Sequence, residues 1–288
     1  MSRNNNDRLG ATTLTADTPA PAVAVGPSST GQAPLSWSTP TEIVTLPSGG
    51  RFYSEGHPLH NKESVEVRFM TAKEEDILTS QALIKNGVVL DRLIESVVID
   101  KAVKANNLLV GDKNAILVAT RITGYGSEYN TTVTCPACED RQRYEFLLEE
   151  AQRITTGEGV EGVEFTDKGT FTFTLPLLQL EVECRLLTGT DEQSMIKSQK
   201  QKKKLKLGET VLTDQLRHIV VSIAGDATPN VVSSFIAACP ARDSRFIRET
   251  YAKVAPNLTL HQNFACENCG HEEEVEVPLT AEFFWPKQ

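Results

Sequence analysis

Apolar and polar positions along the chain follow two periods, which predict strands and helices in a definite order. Alternating apolar residues predict a half-buried strand at residues 64–70, and residues 41–46 predict a strand before it. A helix is expected to begin after Thr71, because Glu74 stands three positions on, as in a capping box. Its apolar side ends at Asn86 and Gly87, a residue pair typical of helix ends.

Two further helices and a pair of strands are predicted before residue 150. Apolar residues recur at helical spacing over residues 90–98. Asp112 is expected to cap a third helix, which stops at Gly124. Strands are predicted at residues 131–134 and 144–148, on either side of a Cys-Pro-Ala-Cys turn.

The same order of elements recurs in the second half of the chain. Equivalent residues are first 117, then 123 and finally 131 positions apart, as in the pairs Arg68 and Arg185, Asp91 and Asp214, and Cys135 and Cys266. The spacing grows only near residues 200 and 225–229, where loops are expected and insertions are tolerated. An internal duplication explains this pattern; chance similarity of two α+β units is the alternative.

The sequence therefore predicts an α+β fold of two similar domains, each with a small sheet and helices. Residues 1–40 are rich in Pro, Ala, Ser and Thr and are expected to form a disordered or extended N-terminal arm, or one that orders against a neighbouring subunit. Residues 41–150 form the first repeat, residues 151–162 a polar linker with three glycines, and residues 163–288 the second repeat.

Composition narrows the functional classes. The 288 residues carry a formal net charge of −9, which argues against a general nucleic-acid binder. No apolar run is long enough to predict a membrane span, and the first ten residues lack the apolar segment of a secretory signal. A reducing compartment is therefore expected, where closely spaced cysteines favour metal binding over disulfides.

Two Cys-x-x-Cys pairs are the candidate metal ligands: Cys135 with Cys138, and Cys266 with Cys269. One pair fills half of the tetrahedral shell of Zn²⁺, and two pairs fill it. Duplicated halves related by a pseudo-twofold axis would bring the equivalent turns together. We therefore expect one structural Zn²⁺ per chain, held by all four cysteines and joining the two halves.

Other interpretations of the cysteines remain open. They are an iron–sulfur cluster, separate partial sites completed by His271 or a neighbouring chain, reduced cysteines without metal, and a redox dithiol. Cys184 and Cys239 are expected to pack in the core. A closed shell of four thiolates contributes folding energy and leaves no position for water, so no catalytic or cofactor-binding residue is expected.

One basic run, Lys200 to Lys206, stands out in an acidic chain. Such a run is typical of a solvated loop or helix face. Its alternative role is to dock on an acidic surface of another subunit.

Four segments together resemble one family. They are LPSGGRFY, VRFMTAKEEDIL, LVGDKNAILVATRITGYGSEY and the CPAC that follows, and the likeness is densest over residues 46–146. They resemble the baseplate hub proteins of T-even-type contractile-tailed bacteriophages. The resemblance implies a virion component of the tail baseplate, assembled in the host cytoplasm within a hetero-oligomer of other tail proteins. It implies no catalytic residues. A transient assembly chaperone, absent from the finished virion, is the alternative.

Overall fold

The computed structural model describes residues 38–206, 208, 210–277, 279 and 283–284. The predicted N-terminal arm therefore lies outside the described residues, except for its last three positions. Residues from Thr39 onward form one compact unit. No helix in the described part of the chain combines the length and the apolar character needed to cross a bilayer.

The first half begins with a hairpin and continues through helices to a second hairpin. Its elements in chain order are β1 (Thr41–Thr45), β2 (Ser64–Arg68), α1 (Ala72–Thr79), α2 (Gln81–Asn86), α3 (Val89–Val97), a 3₁₀ turn (Ala105–Asn107), α4 (Val110–Tyr125), β3 (Glu128–Thr134) and β4 (Arg141–Leu147). The predicted strands are confirmed. The single helix expected between Thr71 and Gly87 is broken at Ser80, whose backbone is extended, while Gly87 ends α2 with a φ of 74°.

A short connection leads into the second half, which repeats the order of hairpin, helices and hairpin. The elements are α5 (Leu148–Ala151), β5 (Gln152–Thr155), β6 (Glu164–Phe165), β7 (Thr170–Thr174), β8 (Glu181–Arg185), α6 (Gly189–Lys204), α7 (Val211–Ile219), β9 (Val220–Ile223), α8 (Pro229–Ala238), α9 (Ala241–Val254), β10 (Asn257–Ala265) and β11 (Glu272–Glu276).

The strands form small antiparallel sheets. β1 pairs with β2, β3 pairs with β4, and β6 to β9 form a four-stranded sheet in chain order. The remaining sheet has the order β11–β10–β5. It joins the halves, because β5 follows directly on the first half and pairs with β10, Leu258 lying opposite Ile154. The first five residues of the predicted linker thus belong to α5 and β5.

The helix after the first hairpin begins in the same way in both halves. In the first half, the Thr71 N–H donates to the Glu74 carboxylate at 2.9 Å, and Arg68 binds the same carboxylate. In the second half, the Thr188 N–H donates to Asp191 at 2.9 Å, and Arg185 binds Asp191 at 2.8 Å. The predicted capping box at Thr71 is confirmed, and an arginine of the preceding strand holds each capping carboxylate in place.

Asp112 does not cap its helix, which corrects one expectation. The N-cap of α4 is Leu109, and Asp112 lies in the first helical turn. Its buried carboxylate instead accepts hydrogen bonds from the Ser48 N–H at 3.1 Å, the Ser48 hydroxyl at 2.6 Å and the Tyr53 hydroxyl at 2.7 Å. Asp112 therefore anchors the loop between β1 and β2 to α4.

Asp243 has the corresponding role in the second half. It lies in the first turn of α9 and is also fully buried. Its carboxylate accepts hydrogen bonds from the backbone N–H groups of Leu177 and Leu178, at 2.9 and 3.0 Å. These residues lie in the loop between β7 and β8, so each half ties its first hairpin loop to its last long helix.

Contacts between the halves extend well beyond the cysteines. One hydrophobic core includes Ile116 and Leu117 of α4 together with Val182 of β8 and Ile247 of α9. Lys113 lies nearly buried at the boundary, with its ammonium 2.9 Å from Asp91 and 2.7 Å from Glu192. The two halves share a core, while the predicted division into domains remains a prediction.

Candidate metal centre

The two cysteine pairs occupy equivalent turns at the ends of two hairpins. Cys135 and Cys138 lie between β3 and β4, and Cys266 and Cys269 lie between β10 and β11. In the first turn, the Cys135 N–H donates to the Asp140 carbonyl at 2.8 Å, and the Glu139 N–H donates to the Cys135 carbonyl at 2.9 Å. The second turn has the same two bonds.

The second turn has a glycine where the first has a glutamate, and both residues adopt a left-handed backbone. The Cys266 N–H donates to the His271 carbonyl at 2.8 Å, and the Gly270 N–H donates to the Cys266 carbonyl at 2.9 Å. Gly270 has a φ of 69°, and Glu139 has a φ of 59° at the equivalent position. This left-handed conformation suits glycine, whereas a residue with a side chain is strained there by about 1 kcal/mol.

The four sulfurs come together in one cluster. All four Sγ atoms lie within 4.8 Å of one another. Across the two pairs, Cys135 Sγ is 3.7 Å from Cys269 Sγ, and Cys138 Sγ is 3.6 Å from Cys266 Sγ. Sulfurs bound at about 2.3 Å to one tetrahedral ion lie about 3.8 Å apart. The spacing therefore fits a single ion, and it does not fit two separate partial sites.

An apolar surrounding shields half of the cluster. Cys135 and Cys266 are buried, Cys138 is partly buried and Cys269 is exposed. Phe264, which is fully buried, packs against the inner cysteines together with Val133, Tyr144 and Val275. On the open side, the Asn268 amide donates a weak hydrogen bond to Cys138 Sγ at 3.8 Å.

Burial, hydrogen bonds and neighbouring sulfurs shift the pKa of two of the four cysteines. Burial acts to raise the pKa of Cys135, but backbone N–H groups of Cys138 and Ala137 outweigh it and bring the pKa to about 7. The backbone at His271 acts to lower the pKa of Cys269, but the neighbouring sulfurs raise it to about 12.

Side chains of β4 bind the backbone of the opposite hairpin, and sequence reasoning missed them. The Gln142 amide donates to the Ala265 carbonyl at 3.1 Å and accepts from the Glu267 N–H at 3.0 Å. The Tyr144 hydroxyl donates to the Asn263 carbonyl. Nothing in the sequence distinguishes these residues from other alternating positions of a strand, so only the packing of the two hairpins identifies them.

The remaining cysteines and the candidate histidine lie outside the cluster. Cys184 is fully buried in β8, and Cys239 is partly buried just after α8, as core packing predicts. The His271 ring lies 3.6 Å from the Glu273 carboxylate. The only group of potential metal ligands found among the described residues consists of the four cysteines. Four thiolates are the ligand set of structural zinc and of iron–sulfur sites.

Comparison with known proteins identifies the family. A family described as T4 bacteriophage base plate protein matches residues 39–285, nearly the whole described chain. The chain belongs to this T4 bacteriophage base plate protein family, which confirms the resemblance found in the sequence. Its family places it among the baseplate proteins of the phage tail, with other tail proteins as partners. Comparison with curated proteins and with solved structures gave no match.

Proposed function

We propose that this chain is a non-enzymatic structural component of the hub or wedge region of the baseplate, where it scaffolds contacts between neighbouring subunits. Assembly takes place in the host cytoplasm, and the chain is retained in the virion. One Zn²⁺ on Cys135, Cys138, Cys266 and Cys269 fixes the two hairpins against each other. The observation that carries the proposal is the convergence of all four sulfurs within 4.8 Å.

The spacing favours a single ion over an iron–sulfur cluster. Several irons between the cysteines would hold the sulfurs farther apart than the 3.6 and 3.7 Å found across the pairs. A four-thiolate shell is closed, so its binding energy adds to folding and no position remains for a reacting water. Two hydrogen-bonded turns hold the sulfurs in position for the ion. The apolar residues packed against the inner cysteines limit the access of water.

An internal duplication accounts for the paired arrangement. The arginine-held helix caps at Thr71 and Thr188, the buried anchors Asp112 and Asp243, and the matched hydrogen bonds in the two cysteine turns support it. Repeats spanning residues 41–150 and 163–288 place one cysteine turn in each copy. The metal shell is complete only where the two copies meet.

Metal content and stability of the full chain test this proposal. We expect one zinc per chain by elemental analysis. Cys135→Ser and Cys266→Ser are each expected to lose the metal and to lower the melting temperature by similar amounts, since both break one shell. Cys239→Ser, which lies outside the cluster, is the matched control and is expected to keep the zinc. Two zinc ions per chain, or iron in place of zinc, would refute the single-zinc site.

The place of the chain in the particle has a separate test. Quantitative mass spectrometry of purified virions is expected to find the chain at a fixed ratio to other baseplate proteins. Its absence from virions, together with its presence in baseplate precursors, would establish the alternative role of a transient assembly chaperone.

A further inference from the structure

The second part of α6 extends over the surface without a buried side chain. Helix α6 begins at the Thr188 cap, and no residue from Glu192 to Lys206 is buried. In the first half, the chain breaks at Ser80 and starts a new helix, whereas α6 continues straight through the equivalent position, Lys197. Met195 packs against the core from this stretch, so core packing accounts for the start of the stretch and not for its extension to Lys204.

A groove lies between this stretch and the start of α7. We call it the lysine groove; its volume is about 540 Å³, and its lining includes Ile196, Lys200, Lys203, Lys206 and Val211. Ile196 and Val211 supply its apolar lining, and they are 41% and 46% exposed. Lysines line the same groove, so it combines apolar surface with positive charge.

The positive charge is only partly compensated within the chain. Lys202 pairs with Asp214, and the Lys200 ammonium donates to the Lys85 carbonyl. Within the part of the chain that the structure describes, no ion pair forms at Lys203 or Lys206. The whole chain carries a net charge of −9, so this groove is a positive feature on an acidic protein.

The helix dipole explains only part of the arrangement of lysines and exposed apolar residues at the groove. Lysines near a helix C-terminus interact favourably with the helix dipole, which explains Lys202 to Lys204. The dipole gives no reason for exposed apolar residues beside them, and Leu205 and Leu212 are 69% and 51% exposed. Apolar surface rimmed by charge is typical of a docking site.

We propose that the lysine groove docks an acidic amphipathic segment of another tail protein. Apolar side chains of that segment would cover Ile196 and Val211, and its carboxylates would pair with Lys203 and Lys206. The chain's own acidic strand, β11, exposes Glu272, Glu273 and Glu274, with the half-buried Val275 beside them. A second copy of the chain and nucleic acid are therefore the competing occupants, and the experiment below distinguishes both from a segment of another tail protein.

A designed peptide tests this on the full-length, metal-loaded chain. The probe is a fluorescein-labelled peptide of about 18 residues, long enough to form a helix, with Leu at helical spacing and Glu elsewhere. Controls are a peptide of the same composition with Leu positions scattered, and one with Lys in place of Glu. Fluorescence anisotropy is expected to show salt-sensitive binding of the probe and little binding of either control.

Variants of the chain link the binding to the groove. Lys203→Glu with Lys206→Glu is expected to weaken probe binding about tenfold, and Val211→Asp is expected to weaken it as well. The control, Lys62→Glu with Lys168→Glu, makes the same charge change at exposed lysines elsewhere and is expected to bind normally. Circular dichroism melting curves verify that each variant folds.

Several outcomes overturn the proposal. They are no binding of the probe, equal binding of the scattered peptide, and unchanged binding by the groove variant. Self-association abolished by the same variant would assign the groove to a second copy, and tighter binding of a short single-stranded DNA would assign it to nucleic acid. None of these results bears on the zinc site, whose test is metal content.

Discussion

Removing the Asp112 carboxylate is expected to destabilise the chain strongly, because it leaves buried donors without an acceptor. Asp112→Ala deprives the Ser48 N–H, the Ser48 hydroxyl and the Tyr53 hydroxyl of their partner, and both of these residues are buried. A buried group that loses its hydrogen bond costs about 1–3 kcal/mol. Since the hydroxyls can reorient toward each other and the N–H cannot, we expect a loss of about 3–5 kcal/mol.

The equivalent change in the second half is expected to cost less. Asp243→Ala frees the N–H groups of Leu177 and Leu178, which belong to residues 50% and 40% exposed. Water can reach these groups, so we expect a loss of about 1–2 kcal/mol. The contrast between the two variants follows from the burial of the donors, since both carboxylates are themselves fully buried.

Urea unfolding at neutral pH, followed by circular dichroism, measures both losses. Asp167→Ala removes an exposed carboxylate and serves as control, with an expected change within about 0.5 kcal/mol. The reasoning fails if Asp112→Ala costs under about 1 kcal/mol, or if Asp243→Ala is the more damaging variant. Either result would show that the carboxylate does not anchor the first hairpin loop as the contacts indicate.

Two further predictions concern the cysteine turns and the helix caps. Gly270→Ala is expected to destabilise the chain by about 1 kcal/mol through its φ of 69° alone, because an added Cβ meets nothing within 4 Å. Glu139→Gly, in the equivalent turn, is expected to be neutral or stabilising; a rise in melting temperature for Gly270→Ala would contradict the left-handed assignment. Burial acts to raise the pKa of Glu74, but hydrogen bonds from Arg68, Ser96 and Thr71 lower it from 4.5 to about 2. The stability that Glu74 contributes is thus present above pH 4.5 and is lost as the pH falls toward 2. The melting temperature of Glu74→Gln is therefore expected to change less between these two pH values than that of the unaltered chain.

Local sequence patterns predicted the helices and strands correctly where the residues that form the pattern also make the contacts that explain it, close together in the sequence. The Thr71 cap, the strand predicted at residues 64–70 and the cysteine hairpins depend on spacings of two to four residues. All three are confirmed, the strand over Ser64–Arg68. The break at Ser80 was missed, because apolar residues continue across it at helical spacing. Asp112 was misassigned because a carboxylate near a helix start usually caps it, whereas here a distant loop supplies the donors.

The convergence of the cysteines was predictable only through the proposed repeat. Pairs so far apart in sequence carry no local signal of proximity, but equivalent positions in two copies can meet on a common axis. The pairing of β5 with β10 and the shared core were not predictable in this way. They depend on contacts that the repeat does not contain, since β5 lies in the stretch expected to be a linker.

The shared core changes what the metal is expected to stabilise. The halves are already joined by one hydrophobic core and by β5 pairing with β10, so loss of metal is not expected to separate them. The hairpin β3–β4, by contrast, pairs with no further strand among the described residues, and a two-stranded hairpin gains little stability from its own strand pairing. The proposed metal is therefore expected to contribute most at the hairpin tips.

Hydrogen exchange distinguishes local from global stabilisation. Removing the metal with a chelator is expected to speed amide exchange much more in β3, β4, β11 and the cysteine turns than in α4, because Ile116 and its neighbours lie in the shared core. Returning zinc is expected to restore slow exchange at the same amides. Uniformly faster exchange that includes α4 would mean that the ion holds the whole fold together, and unchanged exchange at the tips would mean that Gln142, Tyr144 and Phe264 suffice to order them without it.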